Sequence, residues 1–369
     1  MIFVMAGGGT GGHVIPAIAV ARELARAGHE PLFVGTERGV EARLVPAAGF
    51  RLEKIRVGGI KNLGVLTKVA SLWRLVAETW SQWRSFGQWH PAAVFSMGGY
   101  VAGPPVLAAL ARGVPVVVME PNAVPGATNR WISRWVRRAL ISFEETRRFF
   151  PADRTELTGL PVREEFFSVP AKASGQPFTV LITGGSQGSK TLNEAARASW
   201  PLFRQSGISV RFIHQTGVPM HAELSKEFAA SGLVGEIDPF ITDMPGAFAQ
   251  ADLVVCRSGA GAVSELAAAG KPSILVPFPF AADDHQTKNA EVLERAGAAM
   301  RFSDRDWTGA SFFAAASGLE GDPARLQAMG TAARKLAKPG SARRAAEILL
   351  GEAAKAATGI DSVGFGPKQ

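Results

Sequence analysis

The sequence predicts an α/β protein made of two doubly wound domains, each with a parallel sheet covered by helices. Apolar strands alternate with helices along the chain, the alternation restarts after Arg163, and a glycine-rich loop follows a strand three times. Ile2–Met5 is a short apolar strand that runs into Gly7-Gly8-Gly9-Thr10-Gly11-Gly12-His13. Pro16 is expected to open the next helix, because its fixed φ and missing N–H suit a first turn. Ile18, Val20, Ala21 and Leu24 give that helix an apolar side, and Gly28 ends it. Leu32–Val34 is the following strand. Val94–Ser96 is another, leading through Gly98-Gly99-Tyr100-Val101-Ala102-Gly103-Pro104 into a helix near Pro105. Val114–Met119 shows no polar alternation, as expected of a parallel strand buried on both faces.

The second half restarts with a strand at Phe178–Thr183, the loop Gly184-Gly185-Ser186-Gln187-Gly188-Ser189, and a helix over Thr191–Arg204. Strands follow at Val210–His214, Leu253–Cys256 and Ser273–Val276. The expected domains are 1–163 and 164–341, with a terminal helix over 342–357 packing back towards the first domain and a flexible tail over 358–369.

Composition narrows the function. The chain has 369 residues, 47% hydrophobic and 20% charged, which excludes a disordered polymer. A single cysteine, Cys256, excludes a disulfide framework and a cysteine-built zinc site, and fits a reducing compartment. The N-terminus lacks the basic region and cleavage site of a signal peptide, and no uncharged apolar run is long enough to span a bilayer. The net charge of +8 is uneven: residues 1–163 carry 20 basic against 11 acidic side chains, and the remainder 20 against 21. A basic first half suggests a polyanionic partner, nucleic acid or an anionic membrane face.

The glycine loops carry the chemistry. Without side chains, backbone N–H groups can approach a pyrophosphate, and ligands of open α/β sheets bind where these loops lie, at the carboxyl ends of strands. No Lys-Ser/Thr pair follows the first loop, so it is not a Walker loop. A fourth piece, Cys256-Arg257-Ser258-Gly259-Ala260-Gly261-Ala262-Val263-Ser264-Glu265-Leu266, again leads from strand to helix. Glu265 there suits either two vicinal ribose hydroxyls or a helix cap.

At this point the chain resembles the bacterial transferases that add N-acetylglucosamine to undecaprenyl-pyrophosphoryl-N-acetylmuramyl-pentapeptide, converting lipid I to lipid II. The resemblance covers residues 1–355. Its segments are Gly8–His13, Met97–Tyr100, Glu120-Pro121-Asn122, Thr158–Arg163, Gly184–Gly188, His214-Gln215-Thr216-Gly217, Phe240–Met244 and Arg257–Ala260. It implies the GT-B fold, two Rossmann-like domains with a cleft between them, and an inverting hexosyltransferase. Carried over by position, it implies that Thr10, Gly11 and Gly12 lie near sugar and phosphates and that Tyr100 binds substrate. Asn122 and Arg163 reach the donor from the first domain, and Ser186 meets the pyrophosphate. Ile241 reads the uracil through its backbone. Ala260, Gly261, Ala262, Val263 and Ser264 run beneath the nucleotide, with Glu265 on the ribose and Gln286 on the N-acetylglucosamine. Ala262 departs from the threonine the family often has.

The implied reaction needs a base for the acceptor hydroxyl. His13, beside a glycine loop and titrating near neutrality, is the first candidate, either as base or as a hydrogen-bond donor to a phosphate. Glu120 is the second candidate base. The remaining histidines, His214 among them, read as surface, turn or supporting groups. Loop N–H groups, a helix N-terminus and Arg163 can meet the leaving charge, so no cofactor and no metal is expected. Asp304-Arg305-Asp306 has an Asp-x-Asp form but lies outside the loops.

The implied partners are UDP-N-acetylglucosamine, undecaprenyl-linked lipid I, the anionic cytoplasmic membrane face and other cell-wall enzymes. Localisation is then peripheral, on the cytoplasmic side. Three other readings are a nicotinamide oxidoreductase, with Glu37 near the ribose, a nucleic-acid binder, and a UDP-sugar transferase with a diacylglycerol acceptor. The second lacks a basic recognition helix. The expected membrane contact is the helix Leu66–Trp89. Val69, Trp73, Val76, Trp80 and Trp83 form one stripe at helical spacing, as core packing also would. Leu72, Leu75 and Phe86 lie beside the stripe and are expected to meet the bilayer. Lys61, Lys68, Arg74 and Arg84 lie in or near the helix, and Trp131, Arg134, Trp135, Arg137 and Arg138 form a second cluster.

Overall fold

The structure, a computed structural model, describes residues 1–57, 65–172 and 175–359, with the side chains of residues 65–72 undescribed. It divides into two compact units, Met1–Val162 joined by the segment from Gly340 onward, and Arg163–Pro339. In the first, β1 (Ile2–Ala6), α1 (Gly11–Arg26), β2 (Glu30–Gly35), α2 (Glu41–Ala47), β3 (Arg51–Lys54), α3 (Val65–Trp89), β4 (Ala93–Ser96), α4 (Gly103–Ala111), β5 (Val116–Glu120), α5 (Ala127–Ile132), β6 (Arg138–Ile141) and β7 (Thr155–Leu157) follow in order. The second contains β8 (Phe178–Thr183), α6 (Lys190–Ser206), β9 (Val210–Gln215), α7 (Val218–Ser231), β10 (Val234–Asp238), α8 (Met244–Gln250), β11 (Leu253–Cys256), α9 (Ala260–Ala269), β12 (Ser273–Leu275), α10 (His285–Arg295), β13 (Ala299–Arg301), α11 (Gly309–Glu320) and α12 (Pro323–Lys335). The last helix, α13 (Ser341–Thr358), belongs to the first unit.

Both sheets are wholly parallel. Their strand orders are β3-β2-β1-β4-β5-β6-β7 and β10-β9-β8-β11-β12-β13. Each order reverses direction beside its first strand, β1 or β8, which is where a doubly wound sheet opens to ligand. β4, β5 and β11 are buried at every position, explaining sequences that are apolar up to the polar strand ends Ser96 and Glu120.

Three expectations change. α1 begins at Gly11, so Pro16 lies inside the helix instead of opening it. The turn is nucleated earlier, by the N–H groups of His13 and Val14 donating to Thr10 O, both at 3.2 Å. Arg163 opens the second unit instead of closing the first. On α3 the two faces exchange roles. Trp73, Val76 and Trp80 are exposed, whereas Phe86 is 1% exposed and packs into the first unit's core. Leu75 is half-buried and turned towards Gly103 on α4. Lys61 and the side chains of Lys68, Val69 and Leu72 lie outside the described residues.

α13 rests on α1 and β4. It is tied at one end by Ser341 Oγ donating to Thr158 O at 2.8 Å, and along its length by the bidentate Arg344–Glu156 pair and the Arg138–Glu352 pair at 3.1 Å. Its apolar stripe includes Ala345 and Leu349, both fully buried. Leu349→Ala should therefore destabilise the first unit by about 2–5 kcal/mol, the range for a buried leucine truncated to alanine. Urea unfolding followed by tryptophan fluorescence reads this, since six of the eight tryptophans lie in that unit.

Candidate active site

In the first unit, the loops after β1, β4 and β5 come together. The Glu41 carboxylate at the start of α2 holds the first. It is fully buried; Oε1 accepts from Thr36 N–H at 2.9 Å and Thr36 Oγ1 at 2.7 Å, and Oε2 from Gly9 N–H at 2.8 Å. A Cβ on Gly8 would sit 2.4 Å from this carboxylate and one on Gly39 2.1 Å. Glycine is thus required there by the anchor beneath the loop. Burial pushes the Glu41 carboxyl up, and the hydrogen bonds from Thr36 and Gly9 more than offset it, leaving it below the usual carboxylate value. The Gly9 N–H is therefore committed internally to an anion. The outward-facing part of the loop is Thr10-Gly11-Gly12, at the N-terminus of α1, where Thr10 makes no side-chain cap.

The loop after β4 carries Gly98 and Gly99 at φ of +78° and +76°. It packs against the first loop: a Cβ on Gly7 would meet Met97 Cβ at 2.8 Å, and one on Gly99 would meet the His13 ring at 3.4 Å. Tyr100, the chain's one tyrosine, is 43% exposed above Gly9. His13 is half-buried, with Nδ1 3.3 Å from Gly8 O.

Glu120 ends β5 and is 2% exposed. Its Oε1 accepts from Asn122 N–H at 3.0 Å and Asn122 Nδ2 at 3.2 Å, and Oε2 from Gly126 N–H at 3.2 Å and Asn129 Nδ2 at 2.9 Å. All four acceptor positions are occupied, so Glu120 shapes the 121–129 loop and offers no oxygen to a substrate hydroxyl. This corrects its assignment as second candidate base. Burial pushes its carboxyl up to about 7 against those donors. Through the same loop, Asn129 lies 2.9 Å from where a Cβ on Gly98 would stand, and Thr128 Oγ1 donates to Gly99 O at 3.2 Å.

In the second unit, the loop after β8 is built on His214-Gln215-Thr216, each no more than 2% exposed. A Cβ on Gly188 would fall 1.9 Å from Thr216 O, and one on Gly217 2.3 Å from Gln187 O, so two backbones touch where side chains cannot fit. Asn193 on α6 donates to Thr216 O at 2.9 Å and its Oδ1 lies 3.0 Å from His214 Nε2. Burial pushes His214 down to about 3, so it is a neutral interior group in a supporting place, not at the surface or in a turn, the other two places expected for it. Gln215 reaches both Gly185 and Ile241; Ile241 N–H donates to Gln215 Oε1 at 2.8 Å. Ser186 stands exposed between these anchors.

α9 starts without a side-chain cap and without an acid in its first turn. Its free N–H groups at Ala260, Gly261 and Ala262 suit an anion, and Val263 and Ser264 follow. Glu265 is the sixth helical residue, too far along to cap the helix. Burial pushes its carboxyl up to about 7 while the Arg163 charge pulls it down. Ser258 Oγ donates to Gln286 O at 2.8 Å, and Gln286 Oε1 accepts from Phe278 N–H at 3.0 Å, fixing the start of α10 against α9. Arg257 donates to Val276 O at 3.0 Å and Pro277 O at 3.1 Å and pairs with Asp304, which also accepts from Thr191 Oγ1 at 3.1 Å. Asp306 instead bonds Ser303. The two carboxylates of Asp304-Arg305-Asp306 thus serve separate partners.

Exposed aromatics mark the first unit's surface. Trp73 is 74% exposed and Trp80 60%, with Trp80 stacked on Trp83 at 5.0 Å. Trp131 and Trp135 meet edge to face at 5.6 Å, with Arg134 over Trp135. Arg138 leaves the expected cluster, since Glu352 holds it internally. No helix among the described residues is long and apolar enough to cross a membrane.

Two parallel sheets, each opening at its switch point onto a glycine loop held by buried polar anchors, have the architecture of the GT-B glycosyltransferases. Residues 3–141 match the glycosyltransferase family 28 N-terminal domain and residues 179–345 the family 28 C-terminal domain; the chain belongs to glycosyltransferase family 28. It is 64% identical over 347 residues, 94% of this chain and 95% of the relative, to the UDP-N-acetylglucosamine--N-acetylmuramyl-(pentapeptide) pyrophosphoryl-undecaprenol N-acetylglucosamine transferase of Solibacter usitatus. A relative of the same name from Geotalea uraniireducens is 42% identical over 92% of this chain and 94% of its own. The solved structure of Acinetobacter baumannii MurG superposes with a TM-score of 0.80 at 33% identity, covering 95% of this chain and 99% of that one.

Glu41, Asn129, Gln215 and Ser258 were given no individual role by sequence reasoning. Gln215 and Ser258 lay inside quoted motifs, but Glu41 had only its place after β2 to mark it. Glu41→Gln turns an amide NH2 towards either the Gly9 N–H or the Thr36 N–H, each of them a donor. We expect a loss of about 1–3 kcal/mol at pH 7. Because the folded-state value is depressed, that difference is present above the ordinary carboxylate value of 4.5 and shrinks as pH falls below it. Urea unfolding of both proteins from pH 7 to 3.5 measures it.

Proposed function

We infer that this protein moves N-acetylglucosamine from UDP-N-acetylglucosamine to the 4-hydroxyl of the N-acetylmuramyl sugar of lipid I, forming lipid II. The observation that carries this is the 64% identity, over 94% of the chain, to a transferase bearing that name. In a single displacement the acceptor oxygen loses its proton as it attacks the anomeric carbon. The bond to the UDP oxygen breaks, and the configuration inverts. His13 is the proton acceptor in this reading. A Nδ1–H donated to Gly8 O puts the ring's lone pair on Nε2, the tautomer a base needs. Thr10, Gly11, Gly12, Tyr100 and Asn122 then belong to the substrate side of the first unit. In the second, Ser186 and the α9 N-terminus take the pyrophosphate, with Arg163 beside it. Glu265 accepts from the ribose, Ile241 faces the uracil, and Gln286 faces the sugar.

The test is transfer of labelled N-acetylglucosamine to a short-chain lipid I analogue. His13→Ala should lower kcat by about 10²–10⁴ with donor KM nearly unchanged. Glu265→Ala should raise donor KM by about one to two orders of magnitude, as for a lost charged hydrogen bond. No transfer by the parent protein overturns the reading.

The acceptor's polyprenyl chain stays in a bilayer, so the enzyme must reach it. Trp73, Val76 and Trp80, with exposed Arg74 and Arg84 on the same helix, support peripheral binding at the anionic cytoplasmic face. Trp73→Glu with Trp80→Glu should lower the fraction sedimenting with anionic vesicles by about tenfold. UDP affinity should be unaltered. Equal sedimentation of parent and variant removes this surface from membrane binding.

A further inference from the structure

The peptide bond between Gly8 and Gly9 is held at both of its polar ends. Its N–H, on Gly9, donates to Glu41 Oε2 at 2.8 Å. Its carbonyl, on Gly8, lies 3.3 Å from His13 Nδ1. A carbonyl carries no proton, so that contact is a hydrogen bond only when Nδ1 bears one. The same peptide can turn over easily. A peptide plane flips by changing ψ of the residue before it and φ of the residue after it, and here both residues are glycine. Gly9 already stands at φ +84°. A flip would carry the Gly8 carbonyl away from His13 and towards the Glu41 carboxylate, where oxygen would face oxygen.

We propose that Glu41 is the positioning residue for His13: by fixing the Gly8–Gly9 peptide, it makes the Gly8 carbonyl hold the His13 ring in the Nδ1–H tautomer. The proposal rests on the reading that His13 accepts the proton. A trans peptide sets its N–H and C=O antiparallel. An anion on the N–H therefore draws electron density towards the carbonyl oxygen and strengthens the bond that oxygen accepts. In the transfer step the acceptor hydroxyl proton goes to Nε2, the hydroxyl oxygen bonds to the anomeric carbon, and the bond to UDP breaks with its electron pair. The imidazolium so formed keeps its Nδ1–H on Gly8 O. The Glu41 charge, one peptide away, favours it. Glu41 itself stays ionised, since its hydrogen bonds hold its carboxyl below the usual value, and no proton crosses the peptide.

Ring-nitrogen chemical shifts of isotope-labelled histidine report the tautomer directly, and the His13 signals are those missing from His13→Ala. At about pH 8.5, where ordinary imidazoles are neutral, the parent protein should hold His13 mainly as Nδ1–H. Glu41→Gln removes the charge from the peptide. It should lower the Nδ1–H fraction by about half and kcat by about tenfold, with donor KM within about twofold of the parent's. Thr36→Val is the structural control. It takes the 2.7 Å hydroxyl bond from the same carboxylate but leaves the Gly9 bond in place, so tautomer and kcat should match the parent's. A Glu41→Gln protein with the parent's tautomer and kcat overturns the proposal. So does a Thr36→Val protein that shifts the tautomer as far, because loosening of the loop then suffices. If Glu41→Gln does not fold, Glu41→Asp decides. It is one methylene too short to hold Gly9 and Thr36 together, and the parent's tautomer with the parent's kcat overturns the proposal. A parent protein with His13 as Nε2–H, or a fully active His13→Ala, overturns the reading of His13 as base and the proposal with it.

Discussion

A loop made of glycine has no side chains with which to hold itself in place. The glycine loops after β1, β4 and β8 meet that constraint, and each is held by a buried polar side chain at a neighbouring strand end or helix start. Glu41 pins Gly9, Glu120 shapes the segment that packs on Gly98, and Gln215 grips Gly185. The glycines around these anchors are obligatory because the anchor, or a second backbone, fills the space a Cβ would need.

Two of these anchors are carboxylates of opposite electrostatic character. Both lose hydration on burial. Around Glu41 the hydrogen bonds win and its carboxyl lies low; around Glu120 burial wins and its carboxyl rises to about 7. The uncharged Gln215 avoids that balance and instead offers donors and an acceptor at once. An amide suits a place where one side must hold a carbonyl and the other an N–H.

The second unit repeats the logic with longer ties. Asp304 joins Arg257 to Thr191, so the end of β11, the segment after β13 and the start of α6 are braced by one ion pair and one hydroxyl. Arg257 also caps two carbonyls after β12. The Asp-x-Asp pattern that suggests a metal in sequence is here a brace, because its neighbours in space are a guanidinium and a hydroxyl.

The alternation of strand and helix, the restart near Arg163, the glycine loops and the family resemblance were legible in the sequence by itself, since apolar period and glycine position are local properties. Phe178–Thr183 and Leu253–Cys256 are strands at those residues. Other features depended on what stands opposite. Helical period marked a stripe on α3 without saying which side meets α4; packing buried Phe86 and left Trp73 and Trp80 outside. Gln215 and Glu41 are ordinary polar letters until the chain brings N–H donors from other loops, Ile241 and Gly9, to 2.8 Å. A hydrogen-bond partner distant in sequence leaves no periodic trace, and so the anchors of the site were decided only when the sheets closed around them.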